Sequence, residues 1–141
     1  MREFLRAKIH HARITKATLD YEGSLGIDAD YLEMAKIEPF ESVEIYNVTN
    51  GNRLRTYAIP MPRGSKAFES NGAAAHHIRA GDQVIIACFA QFTAEELTSF
   101  KGPEILILND QNELKSRFRG ERTLAPNHMS LPHNLESTSN S

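Results

Sequence analysis

SVEIYNVTNGNRLRTYAI, residues 42–59, is the stretch that decides the fold, because it predicts a β-hairpin. Asn50-Gly51 is the strongest turn signal in the chain, since both residue types tolerate the positive φ angles of a two-residue hairpin loop. Apolar residues alternate with polar ones on both sides of this turn. Alternation gives the second strand two different faces. One face carries Arg53, Arg55 and Tyr57, and the other carries Leu54, Thr56 and Ala58.

Other short strands surround this hairpin along the chain. Residues 4–19 predict one or two strands, with Lys8 and His10 on one face and Ile9 on the other. Further strands are predicted just before Asn71, at 83–92 and, as the last strand, at 104–108. Short helices are predicted after the N-cap Asp28 and at the capping box of residues 93–96. Many short strands with few helices predict a mainly β fold in a closed or nearly closed barrel.

Composition limits both the domain organisation and the class of function. Residues 1–114 are predicted to form one domain, whereas residues 115–141 become polar and are expected to be a mobile tail. The net charge of -2 argues against a nucleic-acid partner, and the longest apolar run, residues 84–90, is too short to cross a membrane. The single cysteine, Cys88, indicates a reducing compartment and hence the cytoplasm.

No metal site is predicted. His10 and His11 are adjacent and would face opposite sides of a regular strand, so they could not bind one metal ion together. The same argument applies to His76 and His77.

The pair Gly23-Ser24 lies between a predicted strand and a predicted helix. In most proteins such a pair is a simple turn. A strained fold would let the serine oxygen attack the glycine carbonyl, which converts the amide into an ester. β-Elimination of that ester cuts the chain and leaves dehydroalanine, and hydrolysis of dehydroalanine gives a pyruvoyl group. By chemistry alone, Gly64-Ser65 is a rival cleavage pair.

Several short segments resemble the family of pyruvoyl-dependent aspartate alpha-decarboxylases, in the order and spacing of that family from about residue 2 to residue 114. The segments are KIH (8–10), YEGS (21–24), NVTNG (47–51), Arg53, TYAI (56–59), RGS (63–65), NGAAAH (71–76) and GD (81–82). The resemblance implies a double-psi β-barrel and a homotetramer with sites between subunits. It also implies an enzyme that converts L-aspartate into β-alanine and CO2 for pantothenate and coenzyme A synthesis.

The resemblance assigns a role to each site residue. The cofactor is a covalent pyruvoyl group made from Ser24 by self-cleavage after Gly23; it forms a Schiff base with the substrate and needs neither metal nor pyridoxal phosphate. Tyr57 is the proton donor to the substrate carbon. The substrate-binding positions are Lys8, Arg53, Thr56, Asn71, Gly72, Ala73 and Ala74. In an ideal strand Thr56 and Tyr57 face opposite ways, so one site uses both only if the strand bends or two subunits share the site.

Some features leave alternatives open. Leu25 and Tyr46 stand where some relatives carry cysteine and tryptophan, and neither change removes a reactive group. Residues 72–75, GAAA, could begin a helix or let a ligand approach the backbone closely. A β-barrel binding module that never cleaves itself is one alternative function. A pyruvoyl decarboxylase for another amino acid is the second, because Arg53 does not separate aspartate from glutamate.

Overall fold

The structure is a computed structural model that describes residues 1–22 and 24–125. Nine strands make up about half of this described part. They are β1 (Arg2–Arg13), β2 (Lys16–Thr18), β3 (Leu25–Asp28), β4 (Ser42–Asn47), β5 (Arg53–Met61), β6 (Phe68–Asn71), β7 (Gln83–Phe92), β8 (Glu104–Leu108) and β9 (Leu114–Arg119). Two short α helices, α1 (Ala29–Ala35) and α2 (Ala94–Leu97), and a 3₁₀ helix at Gly72–His76 complete the fold.

All nine strands belong to one mixed sheet with the order β2-β6-β3-β5-β4-β7-β1-β8-β9. Three neighbouring pairs are parallel: β1 with β8, β2 with β6, and β3 with β5. The sheet does not close, and its arrangement is consistent with the expected double-psi β-barrel, so the mainly β fold class is confirmed. Within the described residues, no helix has the length and apolar character needed to cross a membrane.

The hairpin around Asn50-Gly51 forms, but its loop comprises residues 48–52 instead of two residues, and only Gly51 of the pair has a positive φ. Strands β4 and β5 pair antiparallel, with Ile45 opposite Leu54, and Gly51 has a φ of +83° at the turn. Val43 and Ile45 are buried, whereas Arg53 and Arg55 are exposed. The inner face of the hairpin packs into a core with other fully buried aliphatic side chains, among them Ile9, Ile27, Ile86 and Leu106.

Strand β3 is an element that the sequence did not predict. It follows Ser24 directly, pairs parallel with β5 through Leu25 opposite Ala58, and pairs antiparallel with β6 through Leu25 opposite Ser70. All four of its residues are buried. A strand buried on both faces lacks the polar–apolar alternation by which strands are recognised.

The sheet continues beyond the predicted end of the domain. The prediction that residues 104–108 form the last strand is wrong, because β9 crosses the predicted boundary after Leu114 and pairs antiparallel with β8. Most side chains of β9 are exposed, so this edge strand has the polar composition of a tail. After it, the Arg122 guanidinium donates to the carbonyls of Leu97 and Phe100, at 3.1 and 2.9 Å. The rest of the predicted tail, residues 126–141, lies outside the described residues.

A bulge in β1 brings His10 and His11 together. The register of β1 against β7 shifts between Ile9 and Ala12, and His11 has a φ of 67°. The two imidazole rings stack with their centroids 3.7 Å apart. The expectation that these side chains face opposite ways is therefore wrong, because a bulge breaks the alternation of a regular strand.

The His10 imidazole is predicted to make folding stability depend on pH. Burial, together with the neighbouring charges of His11 and Lys8, lowers the pKa of His10 to about 4. The unfolded chain, with a histidine pKa of about 6.5, therefore binds this proton first as the pH falls. The stabilising contribution of neutral His10 is complete above that value and is lost between about pH 6.5 and 4.

We expect His10→Asn to flatten the fall in the free energy of unfolding across this pH window. Urea titrations at one protein concentration measure it, with His76→Asn, a change at an exposed histidine, as the control. An unchanged slope in His10→Asn would contradict the assignment.

Candidate active site

The cavity beside Ser24 has a volume of about 390 Å³ and collects most of the predicted site residues. Of these, the lining includes Ser24, Thr56, Tyr57, Asn71, Ala73 and Ala74. Gly72 begins the 3₁₀ helix that carries the two alanines, with a φ of 61°. Residues from β5, the 3₁₀ helix and the start of β3 thus surround one concave space, which is the usual form of a small-molecule site.

The position of Ser24 is fixed by its own backbone hydrogen bond and by the contacts of strand β3, which follows it. The residue is 6% exposed, and its carbonyl accepts the backbone N–H of Asn71 at 3.2 Å. At the other end of β3, the buried carboxylate of Asp28 accepts the N–H groups of Asp30, Gly64 and Lys66 at 2.8, 3.1 and 2.8 Å. These bonds cap α1 and fasten the 62–66 loop, so β3 has no freedom to slide.

The two predicted cleavage pairs differ in what surrounds their serines. Gly23, the other half of the first pair, lies outside the described residues. Ser65 of the rival pair does not line the Ser24 cavity; its Oγ accepts the N–H of Ala67 at 3.3 Å, as in a simple turn.

The arrangement of parallel strands explains why Thr56 and Tyr57 meet at one cavity. Strand β5 pairs with β4 as far as Tyr57 and with β3 from Ala58 onward. Because β3 runs parallel to β5, one step back along both strands places Ser24 beside Tyr57. Thr56 and Tyr57 face opposite sides of β5. Both line the cavity at the start of β3, beside Ser24.

The Asn71 side chain carries unused hydrogen-bonding capacity in this cavity. The residue is 1% exposed, and neither its Nδ2 nor its Oδ1 finds a hydrogen-bond partner among the described residues. An unpaired buried amide costs roughly 1–3 kcal/mol, and such groups are rare in folded proteins. Within the described part of the chain, the amide thus has hydrogen-bonding groups left over at the Ser24 cavity.

Lys8 and Arg53 lie away from Ser24 within the single chain. Neither residue lines the Ser24 cavity. The Arg53 guanidinium lies 4.4 Å from the centroid of the Tyr46 ring and borders a second cavity of about 310 Å³. Lys8 lies on β1 opposite Ala87, and its half-buried position lowers the pKa of its ammonium group. By strand register both side chains project from the outer face of the β5-β4-β7-β1 part of the sheet.

Three residues of the cavity were not among the predicted site residues. Leu54, Arg55 and His77 also line the space around Ser24. Arg55 shares a strand face with Tyr57, which the alternation of β5 could have indicated, and its Nε donates to Glu44 at 2.7 Å. His77 follows the alanine segment, and no pattern in the sequence marked it. Among the described residues, no group of three or more potential metal ligands occurs.

Comparison with known proteins identifies the family. The family model described as aspartate decarboxylase matches residues 1–115. The chain is 49% identical to the aspartate 1-decarboxylase of Alcanivorax borkumensis over 111 residues, which cover 79% of this chain and 87% of that protein. It is 46% identical to the enzyme of that name from Cupriavidus taiwanensis, covering 81% and 94%, and 48% identical to that of Pseudomonas aeruginosa strain LESB58, covering 78% and 86%. The chain belongs to the aspartate decarboxylase family.

Proposed function

We propose that this protein decarboxylates L-aspartate to β-alanine and CO2 by means of a pyruvoyl group made from its own Ser24. The observation that carries the proposal is the meeting of Ser24, Thr56, Tyr57 and Asn71 at one cavity in a member of this family. The product would feed pantothenate and coenzyme A synthesis, and the lone buried Cys88 is compatible with work in the reducing cytoplasm.

The residues around Ser24 fit its proposed conversion. The reaction begins when Ser24 Oγ attacks the carbonyl carbon of residue 23, which needs donors for the developing oxyanion. Asn71 supplies a buried amide that has no partner among the described residues, and Thr56 supplies a hydroxyl at the same cavity. A single oriented donor to an oxyanion is worth about 3 kcal/mol in other enzymes. β-Elimination of the resulting ester and hydrolysis of dehydroalanine, with loss of ammonia, would complete the pyruvoyl group.

During turnover the protein has to bind the substrate, exclude water and supply a proton. The pyruvoyl ketone, joined to the substrate amine, supplies the electron sink for loss of the carboxylate. Tyr57 lines the same cavity as Ser24, which supports the proposal that its phenol protonates the substrate carbon. Backbone groups of the Gly72–Ala74 segment would contact the substrate, because small side chains allow a close approach.

Binding of the two substrate carboxylates is proposed to involve a second copy of the chain. Arg53 offers a planar fork and Lys8 a point charge, and both project from the outer sheet face that they share with Tyr57, yet neither lines the Ser24 cavity of its own chain. Phe40 is 75% exposed and Phe89, on that same face, is 39% exposed, which supports burial against another subunit. A homotetramer with sites between subunits satisfies both observations. A panel containing L-glutamate tests whether the site selects aspartate.

Self-cleavage is expected to require the hydroxyl of Ser24 and not that of Ser65. Denaturing mass spectrometry of the wild-type protein should show a fragment of residues 1–23 and a pyruvoyl-capped remainder that reacts with hydrazine reagents. Ser24→Ala should stay uncut, folded and inactive, because alanine has no nucleophile. Ser65→Ala is the matched control and should cleave normally. A wild-type protein that remains one chain and does not react with hydrazine reagents would contradict self-cleavage and favour the binding-module alternative.

Removing the proposed proton donor is expected to lower turnover and to leave maturation unchanged. Tyr57→Phe keeps the ring and removes only the phenol, so pyruvoyl content should match the wild type. β-Alanine production should fall by roughly 10²–10⁴-fold, the usual cost of losing a general acid. Both quantities are measured on one sample. Full maturation with undiminished turnover would assign the proton to water or another group.

Sites shared between subunits should be rescued by mixing defective chains. Ser24→Ala and Arg53→Ala should each be inactive alone, because each lacks one half of the site. In randomly mixed oligomers of the two, about a quarter of the sites would combine an intact Ser24 with an intact Arg53 from different chains. Co-expression with two different tags, followed by tandem purification, gives the mixed species for assay. Mixed oligomers without activity would refute the shared site.

A further inference from the structure

Three asparagine side chains of the β4–β5 hairpin converge on one carbonyl oxygen. The Nδ2 atoms of Asn47, Asn50 and Asn52 lie 3.1, 3.1 and 3.3 Å from the oxygen of His77. A carbonyl oxygen has two lone pairs, so three donors exceed what its satisfaction requires. Asn47 Nδ2 also donates to Asp82 at 2.8 Å, which leaves Asn50 and Asn52 as the two donors committed to His77 alone.

The His77 residue connects this hairpin to the wall of the Ser24 cavity. Its backbone N–H donates to the Ala74 carbonyl at 3.0 Å, and that of Ile78 donates to the same oxygen at 3.1 Å. Ala73, Ala74 and His77 all line the cavity. A displacement of the His77 carbonyl therefore moves the backbone that faces Ser24.

The hairpin does not need these amide contacts to form its own turn. Backbone bonds already close it: Asn47 N–H donates to the Asn52 carbonyl at 2.8 Å, and Gly51 N–H donates to the Asn47 carbonyl at 2.8 Å. The Asn50 side chain is exposed and that of Asn52 is half-buried, so neither fills the core. Their shared geometric effect is to hold the end of the 3₁₀ helix.

We propose that Asn50 and Asn52 are positioning residues, which set the Ala73–Ala74 backbone for substrate through the His77 carbonyl. The inference rests on the proposed function, since it assumes that aspartate binds against this segment. The residues act on binding rather than on chemistry, because Ser24, just before β3, and Tyr57, in β5, accept no hydrogen bond from the two amides. Removing the amides should weaken uniform binding, which raises KM and leaves kcat alone.

The test replaces each amide donor with an isosteric carboxylate. Asn52→Asp and Asn50→Asp keep the shape of the side chain and place a negative oxygen against the His77 carbonyl. Gln111→Glu adds the same charge at an exposed turn on β8–β9 and is the matched control. For each purified protein, pyruvoyl content, thermal midpoint, kcat and KM for L-aspartate are measured.

We expect both asparagine variants to mature fully, to keep a near-wild-type thermal midpoint and kcat, and to raise KM roughly three- to tenfold, as losing one hydrogen bond would. Gln111→Glu should match the wild type in every measurement. A KM within twofold of wild type in both variants would overturn the proposal. Equal losses of folding or of kcat in both variants would overturn it too, because they would make the contacts structural or catalytic.

Measurements on the wild-type protein distinguish a failure of the positioning role from a failure of the proposed function. A wild-type protein that forms no pyruvoyl group and releases no β-alanine defeats the proposed function, and the positioning role falls with it. A wild-type enzyme that turns over normally, with variants that match it, defeats the positioning role alone.

Discussion

The constraint on which this structure depends is the insertion of β3 between β5 and β6. Its four residues are buried, and the strand is hydrogen-bonded along both edges. A Cβ on Gly26 would lie 2.7 Å from the Sδ of Met61, so that side chain packs directly against the strand. Because β3 is paired along both edges, the residue that precedes it is held at one place in the fold. The helix α1, the 62–66 loop and the cavity wall are all arranged around that short strand.

Local signals in the sequence were sufficient where a residue has one physical preference. Gly51 took the positive φ of the hairpin turn, Thr93 and Glu96 formed a reciprocal capping box, and Asp28 capped α1. The division of β5 into two faces also followed from alternation. In each case the information lies within a few neighbouring residues, so tertiary contacts reinforce the local preference rather than override it.

The remaining features depend on partners that are distant in sequence. β3 is recognisable only once β5 and β6 cover it, and β9 only once β8 pairs with it. The stacked histidines need a bulge whose position the alternation of β1 does not reveal. The cavity itself could be anticipated from motifs at Ser24, Thr56, Tyr57, Asn71, Ala73 and Ala74. Motif order could not indicate that Lys8 and Arg53 would lie outside the Ser24 cavity of their own chain, since order carries no direction in space.

The position of β1 has a consequence for a chain interrupted near residue 23. Strand β1 lies between β7 and β8 and is hydrogen-bonded to both, antiparallel on one side and parallel on the other. A cut at that point would leave β1 of the N-terminal piece hydrogen-bonded along two edges, with Ala7 and Ile9 buried in the core. The two pieces would stay associated in native buffer and separate only when a denaturant unfolds the sheet. Once separated they would meet again as two diffusing molecules, so reassembly would slow with dilution, whereas the uncut chain folds at a rate independent of concentration.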